Sequence, residues 1–170
     1  MPVHEVSAMM KKKRNVLFLG LIFTVLLIAA DQVTKYLASV YLSGTAGISV
    51  IDGVFQLFYL ENRGAAFGML DNRQGFFIAV AAVMCIAAAY VYWRLPLSRH
   101  FHFMRMICVL IAAGSAGNMI DRLLHGYVID FLYFSLIDFP VFNIADCYVC
   151  VGAALAILAV FTVYRNDEFL

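Results

Sequence analysis

The sequence predicts an all-α polytopic membrane protein with four transmembrane helices and a small extracytoplasmic β-rich cradle, or lid, in the first outer loop. Hydrophobic residues make up 64% of the 170 residues, and the mean hydropathy is +0.89. Soluble domains are only about 45–50% apolar, so the bilayer must be the solvent. Four apolar runs approach the ~20 residues that span a bilayer. We therefore expect a single membrane domain over residues 1–170.

The first helix is predicted over about residues 15–37, behind a cytoplasmic basic tail of residues 1–14. Lys11 to Arg14 precede the apolar run from Val16 to Ala30. This pattern is also typical of a cleaved signal peptide. Because three further apolar runs follow, we interpret the first run as a membrane helix that is retained.

The other helices are predicted over about residues 75–94, 103–121 and 144–164. Orientation follows from the Lys and Arg residues in the short flanks, which favour the cytoplasm. The N-terminal tail, the connection between the second and third helices and the C-terminus with Arg165 all carry basic residues. The outer loops are then residues 38–74 and 122–143.

The segment from Ile48 to Leu60 is too short to span a membrane. It alternates with a two-residue period and is rich in β-branched and aromatic residues. This composition indicates short strands, which we place on the membrane surface as part of the cradle.

Charge and cysteine usage exclude several classes of function. A net charge of +1 gives no sign of nucleic-acid binding. The cysteines lie in apolar runs, so no disulfide framework is expected. Cys147 and Cys150 form a CxxC, but no second pair or histidine accompanies it, and we interpret both as apolar helix residues rather than as a metal or redox site.

Polar residues occur in five clusters, all at the outer ends of the predicted helices or in the outer loops. Ionisable side chains at membrane depth are costly, so they indicate a functional site. The clusters are DQVTK (31–35), ENRGAAFG (61–68), GNMIDR (117–122), VIDF (128–131) and FNIAD (142–146).

Each cluster also has a purely structural interpretation. Asp31 could cap a helix end, and Lys35 could extend to lipid head groups. Asp121 and Arg122 could form an ion pair that joins two helix ends. Asp146, read alone, is typical of a helix cap or first-turn acid. These interpretations weaken only because all five clusters converge on one membrane face.

The residue types favour chemistry by paired carboxylates. No HExxH or GxSxG motif is present, and His100 and His102 lie on the cytoplasmic side, so no metal site is expected. Two adjacent carboxylates can share one proton and act as base and acid on one water. The candidates are Asp31, Asp121, Asp130 and Asp146. Asp130 and Asp146 are favoured because apolar residues flank them, whereas Arg122 follows Asp121.

In order and spacing, the five motifs resemble those of the lipoprotein signal peptidases, also called signal peptidase II. The resemblance runs from Asn15 to about Tyr164. It departs at Ala113, where the family commonly has glycine, and residues 1–10 have no counterpart. It implies an aspartic endopeptidase of the bacterial inner membrane that cuts lipid-modified prolipoproteins before the diacylglyceryl cysteine, with no cofactor.

The resemblance also implies roles for individual residues. Asp130 and Asp146 correspond to the catalytic pair. A lid over residues 62–67 would close on the substrate, with Gly64 and Gly68 as flexible points. The supporting and substrate-positioning residues would be Asp31, Lys35, Asn62, Gly64, Asn118, Asp121, Arg122 and Asn143. The expected partners are the lipidated substrate and membrane lipid, and the protein is expected to be a monomer.

Two other classes of function remain as alternatives. A small ion-coupled transporter would also use intramembrane aspartates, but it should place polar groups near the midplane. A non-catalytic assembly or lipid-binding module could use the same polar face for docking.

Overall fold

The computed structural model describes residues 3–64 and 73–164. Its element order is α1 (Val3–Leu42), β1 (Ile48–Ile51), β2 (Phe55–Asn62), α2 (Gln74–Arg94), α3 (His102–His125), β3 (Val128–Tyr133) and α4 (Ile144–Thr162), with short 3₁₀ turns at Arg99–Phe101 and Ser135–Ile137. Within the described residues, four helical segments are long and apolar enough to cross a membrane.

Each helix end has a local cause. α2 ends at Arg94 because Pro96 cannot continue the helix and the preceding Leu95 is extended (φ −58°, ψ 136°). α3 ends at His125, because the next residue, Gly126, has a left-handed backbone (φ 77°) and its N–H donates to the Arg122 carbonyl. α4 begins with a capping box between Asn143 and Asp146.

α1 is longer than the predicted span of residues 15–37. Its 40 residues run from Val3 to Leu42, a rise of about 60 Å against a hydrocarbon core of about 30 Å. No proline lies between Val3 and Leu42, and Gly20 is the one glycine there, so the helix continues at both ends of the apolar run. The membrane boundaries within it stay a prediction.

α3 is the central helix of the bundle. It packs against α1, α2 and α4, and half of its apolar window is buried, against 6–17% for the other three helices. Close contact requires small residues: a Cβ at Gly114 would collide with the Ala145 carbonyl, and a Cβ at Gly152 would lie 2.9 Å from Ile111.

The sheet has the order β1-β2-β3, with both pairs antiparallel. β1 and β2 confirm the short strands predicted in the first outer loop. The third strand was not predicted, because VIDF was assigned to a loop: β3 lies in the connection between α3 and α4, and its pairing with β2 puts Asp130 opposite Leu60 and Val128 opposite Asn62. A small core that includes Ala38, Leu42 and Phe131 packs the sheet onto α1.

Candidate active site

Polar residues from each of the five motifs meet at one end of the bundle, where α1, α3 and α4 contact the sheet. Asp31, Lys35, Asp121, Asp130 and Asn143 are each no more than 1% exposed. Buried charges persist only when they are paired and hydrogen-bonded. We call this group, together with Asn62, Asn118 and Asp146, the polar cluster.

Asp130 enters the polar cluster from β3 rather than from a loop. Its strand pairing with β2 brings Asn62 beside it, and Asn62 Nδ2 donates to Asp130 Oδ2 at 2.8 Å. Asn143 Nδ2 donates to the other oxygen, Oδ1, at 2.6 Å. The strand therefore fixes the position of the Asp130 carboxylate, and the side-chain amides of Asn62 and Asn143 fix its orientation.

Asp146 lies in the first turn of α4. Its Oδ2 accepts from the backbone N–H of Asn143 at 3.1 Å, and Asn143 Oδ1 accepts from the backbone N–H of Asp146 at 2.9 Å. Its second oxygen, Oδ1, accepts from Asn118 Nδ2 at 2.7 Å. Asp146 is thus part of a helix cap, as its position alone indicated, and it also faces the polar cluster.

Asn143 joins the two carboxylates. Its backbone N–H holds Asp146, while its side-chain amide holds Asp130 and also contacts Asn118 Oδ1 at 3.1 Å. The residue that caps α4 is therefore shared between the two carboxylates. Its extended backbone (φ −133°, ψ −178°) directs both groups toward the cluster.

Lys35 is the cation at the centre of the cluster. Its Nζ lies 2.9 Å from Asp31 Oδ2, from Asp121 Oδ2 and from Asn118 Oδ1. Two sequence-based alternatives are therefore wrong. Lys35 does not extend to head groups, because it is 1% exposed. Asp121 pairs with Lys35 from α1 rather than with the adjacent Arg122, whose guanidinium approaches backbone carbonyls.

Asp31 and Asp121 also hold backbone from other elements. Asp31 Oδ1 accepts from the Ala145 N–H at 2.9 Å and so ties α1 to the first turn of α4. Asp121 Oδ2 accepts from the Ile129 N–H at 3.2 Å, next to Asp130 on β3. These two carboxylates therefore position the elements that carry Asp130 and Asp146.

Gln32 belongs to this network but was not among the predicted site residues. Its Nε2 donates to Asp121 Oδ1 at 2.8 Å and approaches the Gly117 carbonyl at 3.3 Å. The signal was available, because Gln32 lies within DQVTK and is one turn before Lys35 on the same helix. Because Gln32 is neutral and lies between the charged Asp31 and Lys35, it was not predicted as a site residue.

Arg122 and Gly64 lie at the edge of the cluster. Arg122 approaches the carbonyls of Asn118 and Gly64 at 3.3 and 3.4 Å, and its guanidinium stacks 4.8 Å from the Phe77 ring. The Gly64 N–H donates to Asn62 Oδ1 at 3.0 Å. The rest of the predicted lid, including Gly68, and the C-terminal Arg165 lie outside the described residues.

The environment of Asp130 favours its protonated form. Burial raises the pKa of Asp130 from 3.8 to about 7, with the nearby negative charge of Asp146 as the next cause. Hydrogen bonds from Asn62 and Asn143 and the positive charge of Lys35 oppose the rise. Such a pair can hold one proton near neutral pH and act as acid and base. Among the described residues, no group of three His, Cys, Asp or Glu could hold a metal ion.

Comparisons with known proteins agree with the motifs. Residues 23–162 match the family model described as Signal peptidase (SPase) II. The lipoprotein signal peptidase of Symbiobacterium thermophilum is 43% identical over 150 residues, covering 87% of this chain and 97% of that protein. That of Caldanaerobacter subterraneus subsp. tengcongensis is 41% identical over 138 residues, covering 81% and 92%.

Solved structures of bacterial membrane enzymes are also similar to this chain. A structure described as a bacterial membrane enzyme, determined by the in meso method at 2.3 Å resolution, matches with a TM-score of 0.75 and 31% identity, covering 88% of this chain and 91% of that one. A second, at 1.9 Å, matches with a TM-score of 0.71 and 32% identity, covering 84% and 92%. These matches and the four apolar helices identify a multi-pass membrane protein, and the chain belongs to the signal peptidase II family.

Proposed function

We propose that this protein is an intramembrane aspartic endopeptidase that removes signal peptides from diacylglyceryl-modified prolipoproteins by cutting before the lipidated cysteine. Its family membership and the names of its relatives support the substrate class. The observation that carries the mechanism is the pair of carboxylates, Asp130 and Asp146, held through the shared Asn143. The pair lies at the polar end of an otherwise apolar bundle.

The reaction is direct attack by water. The ionised carboxylate of the pair takes a proton from water as the oxygen attacks the scissile carbonyl carbon, and the protonated carboxyl donates to the carbonyl oxygen. Collapse of the tetrahedral intermediate breaks the C–N bond, the amine leaves with the proton taken from water, and the proton on the former carbonyl oxygen returns to the carboxylate that donated it. The two groups titrate as a pair, so the proton belongs to the dyad rather than to either residue.

The other polar residues position this pair. Lys35, Asp31 and Asp121 hold α1, α4 and β3 together, and Asn118 and Asn143 orient the carboxylates. Asn62 and Gly64 belong to the segment proposed to close over the substrate, with Arg122 bound to the Gly64 carbonyl. Closure would exclude bulk water from the reacting bond.

The proposed location is the bacterial cytoplasmic membrane. The Lys and Arg residues at the starts of α1 and α3 support an orientation with both chain termini in the cytoplasm and the carboxylate pair at the outer boundary. The substrate's apolar signal helix and lipid would approach laterally within the bilayer. Because the polar groups crowd one end rather than the midplane, this arrangement supports a peptidase better than an ion-coupled transporter. The proposed unit is a monomer.

The test is cleavage of a lipidated prolipoprotein by the purified protein in detergent with a chelator present. Asp130→Asn and Asp146→Asn keep shape but remove acid–base function, so each should lower kcat by at least about 100-fold. Asp52→Asn is the matched control, because Asp52 is an exposed carboxylate bonded to Ser49 in the β1–β2 turn. Wild-type rates in either active-site variant would refute the dyad, and loss of wild-type activity in chelator would refute a metal-free reaction.

A further inference from the structure

A cavity that includes none of the polar-cluster residues lies between α1 and α3. It has a volume of about 550 Å³, within the range of small-molecule sites. Its long walls are apolar and come from two helices: Leu19, Phe23 and Leu27 on α1, and Met106, Val109 and Leu110 on α3. Leu19, Phe23 and Met106 are about half exposed, so the cavity opens on the lipid-facing side.

A buried cation lies at the end of this cavity that is nearest to the start of α3. Arg105 is 5% exposed and lines the cavity with His102. Its Nη2 donates to the Leu95 and Pro96 carbonyls at 2.9 and 2.6 Å, but its Nε and Nη1 have no hydrogen-bond partner. Arg105 also lies in the first turn of α3, where the helix dipole disfavours a cation.

No acidic side chain among the described residues forms an ion pair with Arg105. The segments of α1, α2 and α3 around Arg105 contain few acids, with Glu5 as the one acid in residues 3–20 and none in residues 86–110. The guanidinium carbon of Arg105 lies 5.8 Å from the centroid of the Tyr92 ring, but the ring supplies no counter-ion, and a buried charge without a counter-ion costs several kcal/mol. At the depth of a helix end, the anion that a bilayer offers is a lipid phosphodiester, and basic pockets between transmembrane helices bind anionic head groups.

The dimensions fit one acyl chain. From Val16 to Leu27 the cavity follows α1 over a rise of about 16 Å, close to half the ~30 Å hydrocarbon core. We propose that the cavity binds an anionic glycerophospholipid, with its phosphate at Arg105 and His102 and one acyl chain between α1 and α3.

The site is independent of the proposed reaction. Asp31 and Gly117, which mark the level of the polar cluster on α1 and α3, lie beyond the last cavity residues of each helix, Leu27 and Leu110. A bound lipid would fill the gap between these helices and supply the counter-ion that Arg105 lacks. It would therefore stabilise the bundle rather than take part in peptide cleavage.

The test is native mass spectrometry of the purified full chain with added dioleoyl phosphatidylglycerol or dioleoyl phosphatidylcholine. The expected result is one tightly bound phosphatidylglycerol, with affinity at least about fivefold higher than for phosphatidylcholine. Arg105→Gln should remove this preference. Equal affinities for the two lipids, or an unchanged preference in Arg105→Gln, would overturn the proposal.

A second variant covers the case in which Arg105→Gln fails to fold, since Arg105 also binds two carbonyls. Met106→Trp places a bulky ring in the cavity from its lipid-facing wall and should weaken phosphatidylglycerol binding by at least about fivefold. Ile86→Trp, on an exposed face of α2 outside the cavity, is the control and should bind as the wild type does. If Met106→Trp binds like Ile86→Trp, the acyl chain does not lie in this cavity.

Discussion

At the scale of single residues, the polar cluster contains two kinds of carboxylate, which differ in their partners. Asp31 and Asp121 share the Lys35 ammonium and hold backbone N–H groups of other elements. Asp130 and Asp146 form no ion pair among the described residues and accept from side-chain amides, with Asp146 also holding the Asn143 N–H. Ion pairing suits a structural charge, whereas amide bonding leaves a carboxylate able to exchange a proton.

The pKa of Asp130 sets the expected pH dependence. In the proposed mechanism the pair must keep one proton, so kcat/KM should fall as the pH rises above about 7. The Asn62 hydrogen bond favours ionised Asp130, so Asn62→Ala should raise that pKa and move the alkaline limb to higher pH. Profiles of kcat/KM from pH 5 to 9 would test this, with Asn15→Ala on the exposed part of α1 as control. An alkaline limb that stays in place or moves to lower pH would contradict it.

Lys35 should matter for stability as well as activity. Lys35→Met leaves Asp31 and Asp121 buried without their cation, and loss of one partner of a buried pair costs about 3–5 kcal/mol. The free energy of unfolding in detergent should fall by that amount. Lys12→Met, at an exposed position of the same helix, should change it by no more than about 0.5 kcal/mol. Equal stability of the two variants would show that the ion pairs contribute nothing.

At the scale of elements, small residues on α3 let three helices meet at the cluster. A Cβ at Gly117 would lie 2.6 Å from Asp31 Oδ2 and 3.3 Å from the Ala145 Cβ. The approach of α1 and α4 to α3 therefore depends on a missing side chain. The third strand has a similar positioning role, because its pairing with β2 puts Asn62 beside Asp130.

A comparison of Gly117→Ala with Gly75→Ala should separate the packing effect of an added Cβ from its effect on helix propensity. Overpacking of this kind costs about 1–3 kcal/mol, and displacement of Asp31 should also lower cleavage activity. Gly75→Ala in the first turn of α2 meets no atom within 4 Å, so it should be neutral or stabilising by up to about 1 kcal/mol. Thermal unfolding and cleavage measured on both variants test this, and a neutral Gly117→Ala would mean that the helices can move apart at no cost.

At the scale of the whole molecule, charge and polarity are separated between the two ends. The basic end carries Lys11 to Arg14, Arg94, Arg99 and Arg105, while the polar cluster and the sheet occupy the other end. Apolar side chains on the outer faces of the helices are exposed between them. This arrangement suits a bundle whose middle contacts hydrocarbon.

The proposed orientation can be tested by labelling. In a background with Cys85, Cys108, Cys147 and Cys150 replaced by alanine, Ser43→Cys and Ser98→Cys place single thiols at exposed positions on opposite ends. A membrane-impermeant maleimide should label Ser43→Cys in spheroplasts and Ser98→Cys only after permeabilisation. The reverse pattern would invert the proposed topology.

The sequence by itself determined the class of protein, the four apolar helices, the first two strands and the five motifs that place the chain in its family. These follow from local composition, periodicity and spacing. The tertiary structure decided which charges meet. Asp121 forms its ion pair with Lys35, 86 residues away, rather than with the adjacent Arg122. Gln32 belongs to the same network, and Asp130 lies in a strand. Helix register and strand pairing across distant segments set these contacts, and no local pattern in the chain records them.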